Sequence, residues 1–138
     1  MALARAHNLL VGFGRGAEAE AAVVDAARLV SDASLRRELE LARCWVLSRC
    51  GRSAQAARAS SALVEDADAD LKFRLRAAGI AGHALTQAGC AEDALSLAAR
   101  LHPFVEQEAD RVPVADRAPL LLAQSKRSGS SRCSTWGA

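Results

Sequence analysis

Tyrosine is absent from this 138-residue chain, aromatic residues make up only 4%, and there are three prolines. A β-sandwich draws its packing from aromatic and β-branched residues, so this scarcity argues against one. No long apolar run is present either. His7 and the glycines interrupt the first sixteen residues, so neither a signal peptide nor a membrane span is expected there, and a cytoplasmic protein is expected by elimination. Signatures of chemistry are also missing. The four cysteines, Cys44, Cys50, Cys90 and Cys133, include no pair at CxxC spacing. Cys44 and Cys50 are six residues apart, which on a helix places them on different faces, so zinc and a redox pair are both unsupported and buried reduced thiols are expected. Three histidines, His7, His83 and His102, are scattered without an HExxH pair. There is no GxSxG elbow and no glycine-rich phosphate loop. Cys90 follows Gly89 at the start of a helix, where a thiolate is favoured, but its place in the turn accounts for it more simply. No catalytic residue, metal or cofactor is expected.

Charge is equally uninformative about a polyanionic partner. The formal net charge is +2, and Lys126, Arg127 and Arg132 fall in a final stretch that contains no acid. The rest is close to neutral, with no nucleic-acid footprint.

What the chain does have is alanine, leucine and a repeat. Hydrophobic residues reach 51%, carried largely by these two types, which favours helices packed closely through small side chains. Gly89 follows Gly51 by 38 residues, and the same shift carries Leu47 to Leu85, Ala56 to Ala94 and Leu63 to Leu101. A fainter copy, Leu10, Gly14 and Ala19, precedes Leu47, Gly51 and Ala56 by 37. The stripe Leu35, Leu39, Ala42 and Val46 becomes Phe73, Ala77, Ile80 and Ala84 after the 38-residue shift. Apolar positions at helical spacing, with glycine at a fixed phase, predict an all-α fold of antiparallel helical hairpins stacked as a short right-handed solenoid.

The expected repeat domain is 1–124, with units of about 2–31, 32–69 and 70–111, followed by a disordered, basic, Ser- and Gly-rich tail over 125–138. In the first unit Ala2 to Phe13 reads as one helix, Gly14 to Gly16 as its break, and Ala17 to Val30 as the second arm, burying Ala19, Ala22, Val23, Ala26 and Val30. Ser31 and Asp32 are expected to offer a cap for one helix, and Ser53 and Asp70 for the later ones. The run Glu65, Asp66, Asp68 and Asp70 resembles a calcium loop but has Leu71 where that loop requires glycine and Ala77 where it requires glutamate, so a solvated turn is expected. Pro103 fits either a first helical turn or a kink in a helix continuing through Phe104, Val105 and Ala109.

These units resemble the tetratricopeptide repeat, a helix-turn-helix with small residues where its arms cross. In the third unit Ala81 and Gly82 stand at the close-contact pair of the first arm, Leu85 follows, Gly89 makes the turn, and Ala94, Ala98 and Leu101 occupy the second arm. The second unit keeps Leu47, Gly51, Ala56 and Leu63 with Cys44 at the glycine position; the first keeps Leu10, Gly14, Ala19 and Ala26 with His7 there. The Ala- and Arg-rich texture is similar to the helical sensor regions of large bacterial ATP-dependent transcriptional regulators of the LuxR type. That resemblance implies a fragment or stand-alone relative of such a regulator, without direct nucleic-acid binding by this segment.

In tetratricopeptide arrays the first arms line a concave groove, which by the same phase would contain Asn8, Trp45 and His83, flanked by Glu38, Ser48, Arg76 and Thr86. The resemblance thus implies a non-catalytic module that binds a protein or peptide. Small-molecule sensing, or self-association into a homodimer through an apolar end of the stack, is the alternative.

Overall fold

The computed structural model describes residues 1–107. The predicted tail, the segment 108–124 and the last residues of the third unit lie outside them. Among the described residues there is no strand, and six α-helices follow one another: α1 Ala2–His7, α2 Gly16–Leu29, α3 Ala33–Arg49, α4 Ser53–Val64, α5 Leu71–Gln87 and α6 Ala91–Gln107. Each packs on its predecessor in the chain, and α3 also reaches α5. None of them is long and apolar enough to cross a membrane.

Glycine ends the first arms as its phase predicts. Gly14, Gly51 and Gly89 have φ of 66°, 76° and 82°, a left-handed conformation that costs an L side chain about 1–2 kcal/mol. Behind this turn the chain folds back on the helix end. The N–H of Arg52 donates to the carbonyl of Leu47 and that of Cys90 to Leu85, closing the two ends with the same six-to-one bond.

The first unit departs from this pattern. The expected single helix from Ala2 to Phe13 is instead α1 followed by a π-helical turn, Asn8–Gly12, and the closing bond runs from Arg15 N–H to Leu9, one residue further back. A π turn holds one residue more than an α turn and rotates the helix before it by about 100° relative to the helix after it. The repeat register therefore slips by one. N-terminal to the turn, His7 rather than Asn8 is in phase with Trp45 and His83, and Leu3 with Leu41.

The second arms are joined to the next unit by a repeated device. Asp32 accepts from the N–H of Leu35 and Asp70 from that of Phe73, each at 2.7 Å. These are the predicted caps, and each helix gains one satisfied N–H at its first turn. Four residues after each cap an arginine reaches back across the junction: Arg36 donates to the carbonyl of Val30 at 2.8 Å and Arg74 to that of Val64 at 2.7 Å. Both carbonyls lie at the end of the preceding helix, so cap and arginine fix the entry of α3 and α5 from both sides. Ser53 does not cap. It is the first residue of α4, and its hydroxyl donates to Gln87 Oε1 at 3.2 Å.

The acidic turn is more than a solvated loop. Asp66 takes Arg37 Nε at 2.7 Å and the N–H of Asp68 at 3.0 Å, tying the α4–α5 connection to α3. The Arg37 hydrogen bond first, and then the Asp68 backbone, hold the Asp66 carboxyl below its ordinary value. Helix α6 continues through Pro103 to Gln107.

The apolar interior is shared between neighbouring units. Ala6, Ala19, Val23, Leu39 and Val46 form one cluster. Leu41, Val64, Phe73, Leu75, Ala77, Ala78, Ala81, Leu97, Ala98, Leu101 and Val105 form a larger one. The stripe of α5 is covered from Phe73 onward, whereas that of α3 begins at Leu39, with Leu35 46% exposed. At Gly82 an added Cβ would meet no described atom within 4 Å, whereas at Gly16 a Cβ would overlap Cys50 Sγ, so the start of α2 lies directly against the end of α3.

Candidate recognition cavity

The first arms α1, α3 and α5 converge on one cavity of about 440 Å³. Helix α1 contributes Leu3, Ala6 and His7, α3 contributes Leu41, Ala42, Trp45 and Val46, and α5 contributes Gly79 and Ile80. Helical spacing explains the set. Residues 38, 41, 42 and 45 of α3 recur at three and four, so they lie along one face, and 76, 79 and 80 are their counterparts in α5.

Two polar features bound this apolar space. Trp45, partly buried, stacks on His7 with ring centroids 5.6 Å apart and planes 8° from parallel. Stacking fixes the indole at the boundary between α1 and α3 and leaves flat aromatic area lining the cavity. About 10 Å back along α3, at the other limit, Glu38 accepts two bonds from Arg76, at 2.7 and 3.0 Å. This forked pair is the stronger geometry for a carboxylate and a guanidinium. It links α3 to α5, and both residues also line a smaller polar cavity of about 200 Å³ with Ser34, Arg37, Asp70 and Lys72.

Of the residues predicted for the groove, Glu38, Trp45 and Arg76 are brought together here. The other four are placed elsewhere. Asn8 is exposed in the π turn and displaced from the phase of Trp45 by the register slip. His83 is exposed and does not line the cavity. Thr86, also exposed, turns its hydroxyl back onto the carbonyl of Gly82 at 2.8 Å. Ser48 is buried and donates to Gln87 at 3.2 Å, binding the end of α3 to the end of α5. The cavity lies nearer the start of the first arms than the predicted column. Leu3, Ala6, His7, Leu41, Ala42, Val46, Gly79 and Ile80 were not singled out for it, although Ala42 and Ile80 share a phase in the repeat.

Reactive groups are not gathered at this place. Burial, helped by Glu40, pushes the Cys44 thiol up to about 11 against the opposing effects of Arg43 and a backbone hydrogen bond. The neutral thiol is a poor nucleophile. Cys50 and Cys90 are exposed. Among the described residues no three His, Cys, Asp or Glu side chains converge as metal ligands would. The chain matches no family model, no curated protein and no solved structure.

Proposed function

We propose that this chain is a non-catalytic recognition module, a short right-handed stack of antiparallel, tetratricopeptide-like helical hairpins whose first arms hold part of a protein or peptide partner. The observation that carries this reading is the convergence of α1, α3 and α5, one from each unit, on a single apolar cavity edged by aromatic and charged groups. An apolar side chain of the partner fills the space between Leu3, Leu41 and Ile80, and the rings of His7 and Trp45 cover it. The Glu38–Arg76 pair at the opposite edge offers polar contacts to the partner's backbone. The contacts of α3 with α4 and α5, and the repeated glycine and Asp-Arg devices, support the stacked arrangement. The composition supports a relationship to the sensor regions of bacterial LuxR-type transcriptional regulators, as a fragment or stand-alone relative acting in the cytoplasm.

One observation favours a second reading. A volume of about 440 Å³ falls in the range of small-molecule sites, roughly 300–1,000 Å³, so sensing of a compact apolar compound is the alternative. Selection of binders from a displayed peptide library separates the two. Peptides with a shared apolar residue, which lose binding when Ala42→Phe fills the cavity, support peptide recognition. Recovery of no cavity-dependent peptide rejects it.

A further inference from the structure

The first arm of unit one has a second apolar side. Facing away from the recognition cavity, Met1, Ala2, Arg5 and Leu9 look across to Glu18, Ala21, Ala22 and Asp25 of α2 over a separate cavity of about 570 Å³. The repeat shows what ordinarily fills such a face. Leu9 precedes Val46 by 37 residues, and Val46 is 1% exposed because it packs in the same cluster as Ala19 and Val23 of the preceding α2. Leu9 packs inward against that cluster too, yet it remains half-buried and lines the open cavity. A face that is covered in unit two is therefore uncovered in unit one.

The charges on this face identify the cover. The α1 wall carries one cationic side chain, Arg5, which forms no ion pair with a described residue. The α2 wall carries two acids, Glu18 and Asp25, of which Glu18 is already paired with Arg15 of its own chain at 2.5 Å. Among the described residues Asp25 meets only Arg28, at 3.6 Å, with its side chain 70% exposed, so it is accessible to another cation. A surface with positive charge on one helix and negative charge on the next is complementary to itself when turned about a two-fold axis, because each α1 then lies over the other α2.

We propose that a second copy of this chain covers this face. The two copies meet about a two-fold axis, apolar residues Leu9, Ala21 and Ala22 are enclosed between them, and Arg5 of each copy pairs with Asp25 of the other. The recognition cavity lies on the opposite side of α1 and stays open in this dimer, so the assembly presents two binding sites.

Light scattering on the full chain, with reductant present to exclude disulfide dimers, tests the arrangement. The expected mass is twice the 14.5 kDa of the chain. Arg5→Glu and Asp25→Arg, both at exposed positions, should each weaken association by about tenfold or more, since each reverses one member of both symmetric pairs. The double variant should regain it. Helicity by circular dichroism should be unchanged in all three. A monomer at every concentration overturns the proposal, as do a dimer indifferent to both single reversals and a mass that grows beyond two chains.

Discussion

Replacing Gly16 by alanine should change sign according to what stands at position 50. Gly16 is the first residue of α2 and has no positive φ, so its backbone accepts alanine without strain. What opposes the substitution is one atom, Cys50 Sγ, which the new Cβ would overlap, while Cys50 Cβ and Leu10 Cδ1 both stand 3.7 Å away at ordinary contact distance. In the natural background the thiol must rotate away or the α2–α3 contact must open, and overpacking of this kind costs about 1–3 kcal/mol. Alanine returns up to about 1 kcal/mol through better helix propensity and a less flexible unfolded chain. The net result is destabilisation of about 1 kcal/mol. Cys50→Ala alone changes an exposed residue and should stay within about 0.5 kcal/mol of the parent. In that background the obstacle is gone, and Gly16→Ala should be neutral or stabilising. Urea unfolding of the four proteins followed by circular dichroism measures this cycle. If Gly16→Ala has the same sign and size in both backgrounds, the start of α2 does not lie on the end of α3 as described.

Two further expectations concern the unit junctions. Asp32→Ala and Asp70→Ala should each cost about 1 kcal/mol in the same urea assay, because both remove the acceptor of a first-turn N–H. A loss at one position and none at the other would mean that the two junctions are not equivalent. Asp66 supplies a pH signature. Its carboxyl is held below the ordinary value of 3.8, so its contribution is fully present above that value and is lost as pH falls through the depressed one. The parent should therefore lose more stability than Asp66→Asn between neutral and strongly acidic pH, and parallel acid profiles would contradict the Arg37 contact.

Much of the architecture was legible in the sequence because it rests on residue types with narrow backbone roles. Glycine at one phase marks the three left-handed turns, and aspartate 38 residues apart marks the two caps. Alanine and leucine at helical spacing marked most of the buried face. The π turn was not legible, since nothing in Asn8–Gly12 encodes one extra residue per turn. Its trace in the numbering is the spacing on either side of it, 38 residues from His7 to Trp45 but 37 from Leu10 to Leu47. That slip is why His7 rather than Asn8 stands against Trp45. Arg36 and Arg74 were readable in principle, being 38 apart, but their role depends on where the preceding helix ends. Pairs such as Arg37 with Asp66, or Ser48 with Gln87, join residues distant in the chain, and no local pattern announces them.

The most direct test of the account uses Trp45 as its own reporter. Replacing Trp136 by phenylalanine leaves Trp45 as the sole indole of the chain, stacked on His7 at the edge of the recognition cavity. Titrating this protein with a selected peptide should change Trp45 emission saturably, and Ala42→Phe should abolish the change while helicity is retained. Tight binding that leaves Trp45 emission untouched, or that survives Ala42→Phe, would contradict recognition by the cavity between α1, α3 and α5.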